Sequence, residues 1–281
     1  MGIRAVANDD CEAAIANFKK AIELDPSVAE AHAALATVKI KHDHDPVGAE
    51  VSFRKAIAAG PNCSMAYSRY TYFLAAMGRL NEALEKIRHA QEIDPLSPDA
   101  NASLAMILYF LGDYDEAMRY CRIALALEPA FAEAALILGR CFEQKESFKD
   151  AAAHYSAAKK MDPDSTEPEE LLSHLYAVTG RTKMARESLF DLSSPERKGI
   201  VRPFNIAAIH TALGENELAG EWLQKPFVNW TERMRMIRFD PRLDNLREDP
   251  SFSLDYDLDS SLTLNPRREI PKAFSISNRA L

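Results

Sequence analysis

The chain has 281 residues, 34 Lys and Arg against 42 Asp and Glu, and a formal net charge of −8. That acidic balance argues against direct nucleic-acid binding, because phosphate contacts need clustered Lys and Arg. Hydrophobic residues make up 47% of the chain. They never form the run of about 18 apolar residues that predicts a membrane-spanning helix, and the opening MGIRAVANDD is too polar for a secretory signal. A cytoplasmic protein with no membrane partner is the expectation.

Along the chain, alanine keeps a fixed beat: Ala14, Ala49, Ala83, Ala117, Ala151, Ala185 and Ala219, spaced by 34 residues with one step of 35. Such a period predicts a solenoid of helix–turn–helix units. The units fall near 1–28, 29–63, 64–97, 98–131, 132–165, 166–199 and 200–230. In the first, Met1-Gly2 stand where a first helix should carry its large–small pair, so the chain opens in mid-helix. A fragment, or a gene that has lost its upstream half, is the expectation, with an uncapped end through which copies could self-associate. The second unit carries one extra residue in its KHDHDP turn.

Units two to seven repeat further signals. Each first helix bears a large residue followed by a small one: Leu35-Ala36, Tyr70-Thr71, Leu104-Ala105, Leu138-Gly139, Leu172-Ser173 and Ile206-Ala207. Gly78, Gly112, Gly180 and Gly214 lie five residues before their alanines, where a left-handed helix cap is expected. A bulky side chain follows each alanine four residues on: Phe18, Phe53, Ile87, Cys121, Tyr155, Leu189 and Leu223. Ala21, Ala56, Ala90, Ala124 and Ala158 come seven residues on, and Pro26, Pro61, Pro95, Pro129 and Pro163 close the first five units. Small residues mark points where antiparallel helices cross closely; proline ends the second helix. Pro226 should end or kink the last second helix near Gln224–Lys225.

This pattern resembles the tetratricopeptide repeat (TPR) family. SMAYSRYTYFLAAMGRLNEALEKIRHAQEIDPLS (64–97) fits its pattern almost throughout, and the two units after it fit as well. The resemblance implies an all-α superhelical solenoid of antiparallel helix pairs. A narrower likeness covers RPFNIAAIHTALGENELAGEWLQK and RFDPRLDNLREDPSF (238–252). These are similar to the end of TPR arrays in bacterial multidomain regulators, where the array follows a winged-helix, cyclase or kinase domain. Residues 231–252 are expected to cap the array, and 253–281, which lack a helical period, to form a disordered tail.

No catalytic motif stands out. GxxxxGK[ST], GxSxG and HExxH are absent, so no enzyme and no cofactor are expected. His42 and His44 with Asp43 and Asp45 supply too few ligands for a closed metal site and read as an exposed turn. Cys11, Cys63, Cys121 and Cys141 have no paired spacing and read as free, mostly buried thiols. Arg233, Arg235, Arg238, Arg242 and Arg247 read as a solvated helix face paired with Glu232, Asp240, Asp244, Glu248 and Asp249.

The resemblance puts the binding groove on the first helices, at positions i, i+3, i+7 and i+10/i+11. Those positions hold Met65, Ser68, Tyr72, Ala75 and Ala76, then Asp99, Ala102, Met106, Tyr109 and Phe110, then Glu133, Leu136, Arg140, Glu143 and Gln144. Flanking units contribute Glu30, Ala33, Thr37, Ile40 and Lys41, and Glu167, Glu170, His174, Ala177 and Val178. Met65, Ser68, Tyr72, Asp99, Ala102, Met106, Tyr109, Glu133, Leu136 and Arg140 are the expected peptide-binding residues. Methionine and tyrosine make an adaptable apolar floor; acidic neighbours suit a peptide with basic flanks. Ala33, Thr37, Ser68, Tyr72, Ala102 and Met106 occupy the places of the carboxylate-clamping Lys and Asn of the chaperone-binding subgroup, so that mode is not expected.

The sequence thus reads as a protein-interaction module, the scaffolding or sensing arm of a bacterial transcriptional or signalling regulator. The alternatives are a substrate-recruiting part of an enzyme (glycosyltransferase or kinase) and a self-associating structural protein.

Overall fold

A computed structural model describes residues 15–40, 45–194, 201–224 and 238–249. Among them every regular element is helical. Residues 15–24 form α1. The helix pairs that follow are α2 (Ala29–Val38) with α3 (Pro46–Ala59), α4 (Ser64–Ala76) with α5 (Leu80–Ile93), and α6 (Pro98–Leu111) with α7 (Tyr114–Leu127). Then come α8 (Ala132–Gln144) with α9 (Phe148–Met161), α10 (Glu167–Val178) with α11 (Thr182–Leu192), and α12 (Pro203–Ala212) with α13 (Asn216–Gln224). The all-helical repeat architecture is the one the alanine beat predicts. The first 14 residues, the KHDH of the second unit's turn, Pro226, Arg233, Arg235 and the 253–281 tail lie outside the described residues.

Each pair is locked at its crossing. Ala49, Ala83, Ala117, Ala151, Ala185 and Ala219 have no exposed surface. The small partner on the first helix meets them directly: the Thr71 hydroxyl donates to the Ala83 carbonyl, and that of Ser173 to the Ala185 carbonyl, each at 3.4 Å. At Gly139 the approach is closest, since a Cβ there would lie 2.5 Å from Tyr155 Cε1. The bulky residues one turn on, Phe53, Ile87, Cys121, Tyr155 and Leu223, are buried as well.

Local signals set the helix ends. Asp45, Ser97 and Asp113 accept from the amides of Gly48, Ala100 and Glu116 at 2.8, 3.1 and 3.3 Å, and Pro46 and Pro98 open α3 and α6. Gly78, Gly112, Gly180 and Gly214 take φ of 85°, 82°, 74° and 76°. In the fifth unit Glu146 occupies the equivalent place and takes φ 58°, a left-handed conformation that costs a side chain about 1–2 kcal/mol.

After the last pair the chain comes back across the array. Within residues 238–249, Pro241–Leu243 make a 3₁₀ turn and Asp244–Arg247 a short helix, α14. Asp240 caps that turn, accepting from the Arg242 amide at 3.0 Å. Phe239, Leu243 and Leu246 are buried in the main core with Phe110, Phe204, Ala207 and Ala208. The Phe239 and Phe110 rings lie 6.2 Å apart. Tyr109 donates to Asp240 at 3.3 Å, Arg242 to Asn205 at 2.9 Å and Asn216 to Asp249 at 2.5 Å. Arg242 is therefore not on a solvated face as the sequence suggests: it is buried, 2.6 Å from the Asp240 carboxylate. Arg247 does pair with Asp244, as expected, and also donates to the Asp240 carbonyl at 2.8 Å.

Beneath this return segment lies a buried polar layer. Glu143 sits 2.6 Å from His174 Nδ1 and accepts from Tyr155 at 2.7 Å. Glu170 accepts from Asn205 and Thr166, both at 2.7 Å. Burial opposes ionisation of Asp240, but the Arg242 guanidinium and its hydrogen bonds outweigh it and hold the carboxyl below the ordinary range. Burial likewise opposes ionisation of Glu143; His174, Arg242 and the Tyr155 hydroxyl overcome it and lower the pKa. For Glu170 burial wins over Asn205 and Thr166, and the pKa rises. Burial also drives the Cys141 thiol up to about 12, and Cys121 is buried too while Cys63 is half-buried, all three unbridged.

Three outcomes follow from these features. Ala117→Leu overpacks a crossing and is expected to cost about 1–3 kcal/mol, read as a lower Tm in thermal unfolding. Glu146→Gly relieves the left-handed strain and should raise stability by about 1 kcal/mol in the same assay. Asp240 and Glu143 have folded pKa values below their unfolded ones. Their contribution is full above about pH 4 and is lost as the pH falls below that; the raised Glu170 has the opposite sign, losing stability as the pH rises through its folded value. Hydrogen exchange of residues 239–246 should therefore lose protection as the pH falls below about 4, before the helix pairs do; equal protection down to about pH 2 would contradict the assignment.

Candidate functional site

The first helices of successive pairs share the inner face. Residues from α2, α4, α6, α8, α10 and α12 line one cavity of about 480 Å³, a volume within the range of ligand pockets. One beat dominates its wall: Thr37, Tyr72, Met106 and Arg140 are the i+7 residues of four consecutive units. A 34-residue repeat brings the same helical position to the same face in every unit, so a sequence column becomes a spatial stripe.

The stripe is chemically graded. Tyr72 is half-buried and its hydroxyl lies 2.5 Å from Ser103 Oγ. Met106 and Leu136 provide apolar floor. Arg140, 3% exposed, spans from the Met106 sulfur at 3.9 Å to Glu167 at 2.5 Å. The second oxygen of Glu167 meets Arg202 at 3.0 Å. A ladder Met106–Arg140–Glu167–Arg202 thus links four units. The Nε–H of Arg140 is buried without an acceptor among the described residues.

Of the residues expected to bind peptide, Tyr72, Met106, Glu133, Leu136 and Arg140 come together around this cavity. The others lie elsewhere. Met65 and Asp99 are exposed away from it, Ser68 is half-buried, and Ala102 is packed inside its unit. Tyr109 has no exposed surface because the return segment covers it, and burial pushes its hydroxyl pKa well above the ordinary value, with the Asp240 carboxylate adding to the effect. The same segment buries Phe110 and Glu143. The inner face is therefore divided: the C-terminal ends of α6 and α8 are covered, and the cavity lies toward their middles and N-terminal halves.

Sequence reasoning did not name Arg69, Asp162, Ser165, Arg202 and Phe204, which are also among the lining residues. Phe204 was findable, since it holds the i+3 position of the seventh unit. Asp162 and Ser165 come from an inter-unit turn and carry no periodic signal. Among the described residues no group of three or more His, Cys, Asp or Glu could hold a metal ion, and no helix is long and apolar enough to cross a membrane.

Comparison with known proteins agrees with the repeat geometry. The tetratricopeptide repeat family model matches residues 1–38 and 103–166. The chain is 27% identical over 158 residues to the type IV pilus assembly protein PilF of Pseudomonas aeruginosa, covering 55% of this chain and 62% of that protein. It is 25% identical over 191 residues to a DnaJ homolog subfamily C member 7 homolog of Dictyostelium discoideum, covering 62% of this chain and 31% of the relative. The chain thus spans less than two thirds of these relatives. Among solved structures, a tetratricopeptide repeat protein from Parabacteroides merdae superposes with a TM-score of 0.62 at 15% identity, covering 82% of this chain and 94% of that one. PilW, a type IV pilus biogenesis factor, superposes with a TM-score of 0.57 at 21% identity, covering 69% and 89%. With the alanine crossings, the left-handed glycine caps and these matches in agreement, the chain folds as a helical solenoid like those of tetratricopeptide repeat proteins.

Proposed function

We propose that the chain is a protein-interaction module that takes a peptide segment of its partner into the cavity lined by Tyr72, Met106, Glu133, Leu136 and Arg140. The observation that carries this reading is the convergence of Tyr72, Met106 and Arg140, the same helical position in three successive units, on one cavity wall. The Arg140 guanidinium on that wall suits a partner carbonyl or carboxylate. Met106, Leu136 and the Tyr72 ring accept an apolar side chain beside it, and Glu133 and Asp162 at the wall suit a basic flank. This is recognition of an extended or helical segment by side-chain pockets on a rigid scaffold.

Such a module serves as the scaffolding or sensing arm of a larger bacterial regulator. A second reading, a scaffold in assembly of a cell-surface machine, is supported by the likeness to PilF, which is named as a type IV pilus assembly protein. In both readings the chain itself contributes binding rather than chemistry.

Tyr72→Ala is the sharpest probe, because Tyr72 is only half-buried. It is expected to weaken a partner captured by the wild-type chain by about tenfold or more, as loss of an aromatic anchor does, while far-UV circular dichroism and Tm change little. Undiminished capture by Tyr72→Ala and by Arg140→Gln would rule the cavity out, and identification of the captured protein separates the regulator from the assembly reading.

A further inference from the structure

The return segment 238–249 meets the array as a ligand meets a groove. Its sequence is RFDPRLDNLRED. Phe239, Leu243 and Leu246 are all buried. Their surroundings are contributed by separate units: Phe110 from α6, and Phe204, Ala207 and Ala208 from α12. Arg238 reaches as far as Gly78 after α4, where a Cβ would lie 3.2 Å from its Nη1. The polar contacts cross between segment and array: Tyr109 to Asp240, Arg242 to Asn205, and Asn216 to Asp249. Two of the array groups involved, Tyr109 and Phe110, occupy the groove positions of the fourth unit.

The docked segment is also held by contacts within itself. Asp240 receives the Arg242 amide and is clamped by the Arg242 guanidinium at 2.6 Å. Pro241 fixes the first residue of the turn. A ligand that carries its own turn loses little entropy on binding. The repeats do not need it for their crossings, which are closed by Ala83, Ala117 and Ala151 against their own first helices.

We propose that this part of the inner face is a peptide-binding site filled in cis, and that it takes in trans a partner segment of the same chemistry. That chemistry is an aromatic residue followed by an Asp-Pro-Arg turn, with leucines four and seven residues after the aromatic. A partner of this kind displaces 238–249, so the chain's own segment competes with the ligand. The assignment rests on the reading of the inner face as an interaction surface, but apart from Phe204, which borders both, it uses residues outside the Tyr72 cavity.

The test uses the full chain with a protease site inserted between Gln224 and Arg238, and a fluorescent peptide of residues 238–249. After cleavage the fragment is held only by non-covalent contacts. The labelled peptide should then exchange with it, read as a saturable rise in anisotropy. The uncut chain should bind the peptide at least about tenfold more weakly, because its own segment is tethered at high effective concentration. A peptide carrying Asp240→Ala and Arg242→Ala should bind the cut chain about tenfold more weakly than the native peptide. A cut chain that keeps its fragment against excess peptide, or that loses its helical circular dichroism on release, overturns the proposal, since the segment would then be a fixed part of the fold. An uncut chain with Phe239→Ala and Leu243→Ala gives a second reading: it should bind the labelled peptide, and failure to do so with helices intact also overturns it. Tyr72→Ala in the cut chain should leave exchange within about twofold, so failure of the cavity reading is separable from failure of this one.

Discussion

The close crossing of two helices at a small side chain is the constraint on which everything else stands. Ala83, Ala117, Ala151 and Ala185 are buried where no larger side chain fits, and the hydroxyls of Thr71 and Ser173 touch the backbone of the opposite helix. Because each pair closes on itself this way, successive pairs stack with the same offset, and the first helices line up along one face. Without that regularity Tyr72, Met106 and Arg140, which are 34 residues apart, would not share a wall.

What the inner face offers is decided by charge burial. Asp240 and Arg242 enter a layer that already holds Glu143, His174 and Glu170. A buried ion pair is weak support for stability by itself, but leaving one member unpaired is costly. The layer therefore holds the return segment to one position more than it tightens the fold. Nearby, the Arg140–Glu167–Arg202 ladder fixes the cavity wall across three units.

The likeness to PilF covers little more than half of this chain, and the structural neighbours below 25% identity share the architecture alone. A repeat scaffold places side chains at set intervals and leaves their identity free, so relatives with one backbone can recognise different partners. Function in this chain has to be argued from the particular residues that fill the stripe.

The sequence by itself determined the fold: the alanine beat, the glycine caps and the closing prolines are local rules, and each acts within a few residues of where it is written. The resemblance to TPR arrays indicates which columns face inward; Tyr72, Met106 and Arg140 from one such column and Leu136 from another meet at the cavity. The reach of the sequence ended where distant segments come together. Tyr109 sits in the same kind of column, yet Asp240, 131 residues away, covers it. The Arg cluster looked like a solvated face because periodicity carries no record of what lies across the groove; only the return of 238–249 put Arg242 in the interior. Asp162 and Arg202 joined the wall for the same reason. Helix packing within a unit is a short-range matter of shape and can be read from spacing, whereas the covering of one part of a curved surface by another depends on where the chain travels in space, and tertiary structure alone decided that.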